Sequence, residues 1–375
     1  MKVLVVVTSA LSVESFLEGQ FKAFVEDGID VHLAVNLKTV SREVPVGVTV
    51  HDMGFKREVS PIQDMKSLLK LIWLINKISP DIVHTHTPKA SLLGCLAARL
   101  CNVKAIVYHL HGLVSIEAGV EKKSLVSFVE RLPFKLSTHV LCVSSSLQQW
   151  VVNKGYCSSA KISTLAQGSI CGVDVKEKFN IDKVNAQPSV IDRSQMKEFV
   201  VGYAGRVCED KGLDDFLKVI EALNAKSPVF TGLIVGPIED DKYNNLNELP
   251  NIIHVGHVQN VNEYMVNFDV LLLLSKREGF GLVAAEANAL EVPVVCYQIP
   301  GLEDAVGAGE TATVVEYQRL EEATNAVWAY YQDNELKKRH GKAGKTRVTE
   351  RYNPEVLTAC QIDFYKSISS KRVIK

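Results

Sequence analysis

Two short loops concentrate the residues able to act on a phosphorylated ligand. In Gly205-Arg206-Val-Cys-Glu-Asp-Lys211-Gly212, two cations lie five positions apart, between the β-branched run FVVGYAG and a helical pattern. A pair of cations beside a helix N-terminus suits a diphosphate, with the guanidinium forking onto oxygens and the ammonium acting as a point charge. The second loop, Ser275-Lys-Arg-Glu278-Gly279-Phe280-Gly281-Leu282-Val-Ala-Ala-Glu286, follows the apolar run VLLLL. Its glycines permit a tight turn whose backbone N–H groups can face a ligand. Glu286, one turn into the next helix, can accept hydrogen bonds from vicinal hydroxyls, and Glu278 can accept from a second polyol group. Each charge alone is also an ordinary surface group or helix-dipole partner. Two carboxylates eight residues apart across a glycine-rich turn, with the Arg/Lys loop, fit a sugar nucleotide bridging them.

The histidines add a second set. His84 and His86 share one face of the strand end DIVHTHTPK, and His109 and His111 share one face at the end of AIVYHLHG. His254 and His257 flank Gly256. No H-E-x-x-H pattern or cysteine cluster accompanies them, so no metal site is expected. They read either as satisfied core residues or as hydrogen-bonding groups for a substrate, and His111, at the strand's carboxyl end before Gly112, is the best functional candidate. Gly279-x-Gly281-x-x-Ala284 imitates a dinucleotide fingerprint, but Tyr297 and Gln298 stand where its acid should close the next strand. No G-x-S-x-G elbow supports a hydrolase.

The elements needed to place these loops are a parallel sheet and its crossover helices. Short β-branched runs alternate with longer amphipathic segments through all 375 residues. The strands expected are 3–7, 30–35, 81–86, 104–111 and 139–144, then 199–205, 230–236, 252–258, 270–275 and 292–297. Helices are expected near 15–27, 62–78, 89–101 and 121–136, then 213–225, 260–267, 282–290 and 319–350. The unpatterned stretch around 181–198 reads as a linker. The chain is thus expected to be α/β, with a domain over 1–180, a second over 199–355, and a last helix over 356–375 packing back toward the first. The two doubly wound domains would face a central cleft.

Charge divides along the same line. The total is −1, which excludes a global basic field for nucleic acid. Residues 1–180 hold 20 Lys+Arg against 15 Asp+Glu, and the remainder holds 22 against 28. The eight cysteines form no C-x-x-C pair and suit buried thiols in a reducing compartment. The N-terminal apolar run is too short for a signal peptide, and no stretch is long enough to span a membrane. A cytoplasmic chain is expected. Helix 62–78 carries an apolar stripe through Leu68, Leu69, Ile72, Trp73 and Ile75 that reads as core-packed. Its Lys66, Lys70 and Lys77, like Lys122, Lys123, Arg131 and Lys135, read either as a solvated face or as contacts to anionic lipid.

Four segments together resemble the retaining glycosyltransferases of family 4, which have the two-Rossmann GT-B fold. They are DIVHTHTPKASLLGCLAARL with VYHLHG, GSICGVD, GRVCEDKG, and SKREGFGLVAAEANALEVPVV with IPGLEDAV. The HTHTPK segment is similar to the branch that builds capsules, O-antigens and exopolysaccharides. The resemblance implies that Gly205, Arg206 and Lys211 hold the donor diphosphate and that Glu286 binds the nucleotide ribose. Glu278 would contact the donor sugar, with backbone from Phe280, Gly281 and Leu282 nearby. His111 would lie beside the reacting sugar, with His84, His86 and Lys89 on the acceptor side. It further implies a nucleotide-sugar donor, a UDP-sugar by expectation, no metal or other cofactor, and a polyprenyl-diphosphate-linked or oligosaccharide acceptor at the inner face of the plasma membrane. A nucleotide-sugar 2-epimerase of the same fold and a non-catalytic sugar-nucleotide-binding subunit remain alternatives. Departures from the family pattern are the glycine-free first loop, Ser9 to Ser15, and Cys171 in place of an asparagine.

Overall fold

A computed structural model of the chain describes residues 1–9, 13, 16–37, 46–56, 58–122, 124–185 and 196–370. The chain forms two compact units. The first comprises Met1–Ile116, Glu121–Cys171 and Pro354–Lys375, and the second Glu117–Val120 and Gly172–Asn353. The division therefore falls at 171/172, ahead of the 181–198 segment expected to link the domains. Residues 186–195 of that segment, and most of the first loop, lie outside the described residues.

The first unit is built on seven parallel strands: β1 (Lys2–Val6), β2 (Asp30–Val35), β3 (Val48–Asp52), β4 (Ile82–Thr85), β5 (Ala105–Leu110), β8 (His139–Cys142) and β9 (Ile162–Thr164). A short pair, β6 (Ile116–Glu117) and β7 (Val120–Glu121), intervenes. The sheet order is β3-β2-β1-β4-β5-β8-β9. Every residue of β4 and β5 is buried, which is why these strands read as unbroken apolar runs punctuated by histidine. The helices are α1 (Glu18–Glu26), α2 (Pro61–Ile78), α3 (Pro88–Leu100), α4 (Leu125–Leu136) and α5 (Ser145–Asn153), joined by a C-terminal helix, Pro354–Ser370. Proline at the first position of α2 and α3 starts each where its missing N–H costs nothing. Ser124 and Ser127 close a capping box on α4. Helix α3 packs between α2 and α4. The stripe expected to be core-packed on α2 is split: Ile75 is buried with Leu71, Leu74 and Ile78, whereas Leu69 and Trp73 are exposed.

The second unit repeats the plan with six parallel strands: β10 (Phe199–Ala204), β11 (Phe230–Val235), β12 (Ile252–His254), β13 (Val270–Leu273), β14 (Val294–Tyr297) and β15 (Ala312–Val315). Their order is β12-β11-β10-β13-β14-β15. Around them lie α6 (Leu213–Lys226), α7 (Val261–Met265), α8 (Leu282–Ala289), α9 (Leu302–Ala305), α10 (Leu320–Gln332) and α11 (Asn334–Arg351). The single helix expected over 319–350 is two, because Asp333 leaves the helical conformation and caps α11 through its side chain. In both sheets the order reverses beside the first strand, between β1 and β4 and between β10 and β13. At such a switch point adjacent crossovers leave in opposite directions and open a crevice at the strands' carboxyl ends.

Candidate functional site

Both loops singled out in the sequence flank the switch point of the second sheet. Gly205 follows β10 and Ser275 follows β13, neighbouring strands paired Val201 to Val270 and Gly202 to Leu271. The loops are bound to each other. Lys211 Nζ donates to Glu278 Oε1 at 2.6 Å, Lys276 N donates to Asp210 O at 2.9 Å, and ion pairs join Lys276 to Glu209 and Arg277 to Asp210. The Lys211–Glu278 pair is largely shielded from solvent. Such a pair survives partial burial because each charge desolvates against the other, and removing one leaves its partner uncompensated. Arg206 pairs with Glu239 on the loop after β11.

Two glycines make this geometry possible. Gly212 has φ +73°, and a Cβ there would stand 1.9 Å from the Leu274 carbonyl oxygen, so only glycine lets the first loop close on the second. Gly281 caps α8 at φ +78°, where a Cβ would meet Leu302 at 2.3 Å. Phe280 is buried edge-on to Tyr352, at 5.0 Å between ring centres, so backbone is what it offers a ligand. Leu282 opens α8. Glu286 lies partly exposed on the same helix, and burial pushes its carboxyl up to about 7, against the opposing pull of Lys178. Its carboxylate is thus poised to gain from any donor that approaches it.

The first unit assembles a different kind of site. The register that places His84 beside Val107 brings His86 and His109 side by side at the carboxyl ends of β4 and β5. His86 Nδ1 shares a hydrogen bond with His111 Nε2 at 3.0 Å, and the rings of His84 and His86 are centred 4.2 Å apart. His84 Nδ1 meets the Tyr365 hydroxyl at 2.5 Å, and Gln361 Nε2 donates to that hydroxyl at 2.9 Å. Burial, reinforced by neighbouring imidazoles, drives His84, His86 and His109 well below the usual histidine range. Burial lowers His111 to about 4. All four rings are neutral at pH 7. Thr87, next to His86, holds a positive φ of 65°, a conformation costly for a side-chain-bearing residue.

His84 and His86 were expected on the acceptor side. The structure places both inside the unit, with His84 bonded to Tyr365 and His86 to His111; His111 is the more open ring. Lys89, expected with them, donates to Asp64 Oδ1 at 2.9 Å and to the Glu58 carbonyl, clamping the start of α3 to the start of α2. Nitrogens of His84, His86 and His109 lie within 4.8 Å of one another. The His84 and His109 rings are stacked at 9° rather than convergent, so a cation needing bonds of about 2.0–2.1 Å would require one to turn. The partners missed in the sequence are Tyr365, Gln361 and Glu239. They are remote from the groups they serve, and no spacing rule marks them.

Comparison with known proteins converges on one family. Residues 2–144 match the model described as glycosyl transferase 4-like, and residues 189–347 the model for glycosyl transferases group 1. The capsular polysaccharide biosynthesis glycosyltransferase CapM of Staphylococcus aureus is 28% identical over 351 residues, covering 91% of this chain and 90% of that protein. A UDP-Gal:alpha-D-GlcNAc-diphosphoundecaprenol alpha-1,3-galactosyltransferase of Escherichia coli is 29% identical over 283 residues, 72% of this chain and 71% of that one. Among solved structures, Anabaena Alr3699/HepE in complex with UDP superposes with a TM-score of 0.76 at 17% identity, over 98% of this chain and 99% of that chain. Sucrose-phosphate synthase of Thermosynechococcus elongatus does so at 0.81 and 17%, over 99% and 100%. With one glycosyltransferase model matched on each of two parallel-sheet units, the chain belongs to the group 1, family 4-like glycosyltransferases and has their GT-B fold.

Proposed function

We propose that the protein transfers a hexosyl group from a UDP-sugar to a lipid-linked or oligosaccharide acceptor during surface polysaccharide assembly, with retention of anomeric configuration. The observation that carries this reading is the pair of loops bound together at the second sheet's switch point, where Arg206 and Lys211 follow β10 and Glu278 and Glu286 follow the neighbouring β13. Support for the setting comes from the names of the capsule and galactosyltransferase relatives, one of which uses UDP-Gal and a diphosphoundecaprenol acceptor.

In the proposed step the bond from the sugar's anomeric carbon to the donor phosphate breaks. The acceptor oxygen bonds to that carbon on the same face, and its proton passes to the departing phosphate oxygen. Negative charge grows on the leaving diphosphate. Arg206, Lys211 and the N–H groups at the start of α8 favour that charge more as it grows, which is how fixed cations and dipoles lower a barrier. Glu278 orients Lys211 and receives the donor sugar's hydroxyls, while Glu286 takes those of the ribose. His111, neutral at pH 7, serves the acceptor side as a hydrogen-bonding group. No step calls for a divalent ion, so transfer should survive chelation by EDTA.

The test offers a panel of UDP- and other nucleotide-sugars with a prenyl-diphosphate-linked acceptor, then determines the anomeric configuration of the product. Epimerised donor in the absence of acceptor would replace the transferase chemistry with isomerisation, and an inverted product would remove retention.

A further inference from the structure

The first unit exposes an apolar stripe that its own core does not use. On α2, Ile62, Met65, Leu69 and Trp73 recur at intervals of three and four, and each is between 56% and 77% exposed. At 100° per residue they lie opposite Leu71, Leu74, Ile75 and Ile78, which face the core. Lys66, Lys70 and Lys77 are exposed along one flank of the stripe, and Lys77 Nζ lies 4.9 Å from the Trp73 ring centre. The only acid on the helix, Asp64, is already held by Lys89. Across α3, the first turn of α4 exposes Leu125 and Phe128. In a parallel sheet the crossover helices run against the strands, so both helix starts lie at the carboxyl end, the end that carries His111.

We infer that the stripe on α2 is a docking surface for an anionic bilayer, with Ile62, Met65, Leu69 and Trp73 entering the headgroup region and the flanking lysines meeting lipid phosphates. Large exposed apolar side chains at helical spacing, bordered by cations of one sign, match an interfacial helix in both composition and geometry. Trp73 is suited to the bilayer boundary because its ring is apolar and its N–H can remain wet. No helix among the described residues is long and apolar enough to cross a membrane, and the inferred contact needs none. The choice of a lipid partner deepens the lipid-linked-acceptor reading above, but the surface itself stands on exposure and charge alone.

The test uses the full chain carrying Trp150→Phe and Trp328→Phe, leaving Trp73 as its one tryptophan. Its emission should shift to the blue with phosphatidylcholine vesicles containing phosphatidylglycerol, and stay fixed with phosphatidylcholine alone. Lys66→Gln and Lys70→Gln should each weaken partitioning about fivefold, an effect that salt should mimic. Leu69→Gln, in the otherwise native chain, should abolish co-sedimentation with anionic vesicles while leaving the melting temperature unchanged. Unchanged Trp73 emission, or equal binding to neutral vesicles, would overturn the inference. So would light scattering that shows a dimer dissociated by Leu69→Gln, since a second copy would then cover the stripe. Transfer to a water-soluble acceptor should be untouched in these variants, so loss of vesicle binding and absence of transferase activity are separate failures.

Discussion

The strand-end sites of the two units solve opposite electrostatic problems. In the second unit, the shielded Lys211–Glu278 pair and the more open Arg206–Glu239, Lys276–Glu209 and Arg277–Asp210 pairs keep full charges by compensating each one. In the first, His84, His86, His109 and His111 are drained of charge by burial and held by one another and by Tyr365. Compensated charge can be lent to an incoming phosphate. A neutral imidazole network offers direction without a field, which suits a hydroxyl rather than an anion. The same sheet plan thus supports two chemistries because the residues after its strands differ.

The comparison breaks most easily at Lys211. Lys211→Ala should lower kcat by about 10²- to 10³-fold at saturating donor, as expected when a preorganised group facing developing charge is lost. A fall confined to KM would mean that the lysine only binds. His111→Ala should cost roughly 10²-fold if the imidazole moves or directs a proton. His86→Ala should lower kcat less, with His86→Asn recovering part of it, since an amide can still bond to His111 Nε2. Equal losses for both His86 variants would count against positioning.

Titration separates the units by sign. Histidines with lowered folded values bind fewer protons folded than unfolded. Their contribution is intact above about pH 6.5 and is lost as pH falls toward the value near 4 of His111. Glu286 runs the other way: raised from 4.5 to about 7, it costs stability as pH rises through that window. Melting temperature from pH 7.5 to 5 should therefore fall less steeply in His111→Gln and more steeply in Glu286→Gln. Below pH 7, UDP affinity should rise by up to about tenfold for each unit increase in pH as Glu286 ionises, and the Gln variant should flatten that slope. The smallest effect belongs to Tyr365→Phe, expected to cost about 1–3 kcal/mol in denaturant unfolding by stranding His84 Nδ1.

Much of this organisation was legible in the sequence. Strands β4, β5, β10, β11, β13 and β14 are buried on both faces, and unbroken apolar runs reveal such strands. Strand β3 has no buried residue, β9 buries only Ile162, and β15 buries only its two end residues, so none reads as a fully buried apolar run. Helix α5 was missed with them. The two donor loops could be found because each has its glycines and charges within a dozen residues. The histidine site could not be completed, since the partner of His84 lies 281 residues away. Periodicity identified α2 as a helix yet could not tell which apolar residues faced inward. Leu69 and Trp73 differ from Leu71 and Leu74 only in what packs beside them.

The helix Pro354–Ser370 belongs to the unit that begins at Met1, so the second unit is an interruption in the first. Synthesis proceeds from the N-terminus, and domains fold as their residues emerge. The second unit has all its residues by Asn353, while the first still lacks the helix that carries Tyr365. The unit started first is therefore the last to be finished. Until that helix emerges His84 has no hydroxyl to meet, so the histidine site can close only after every residue of the second unit has been made.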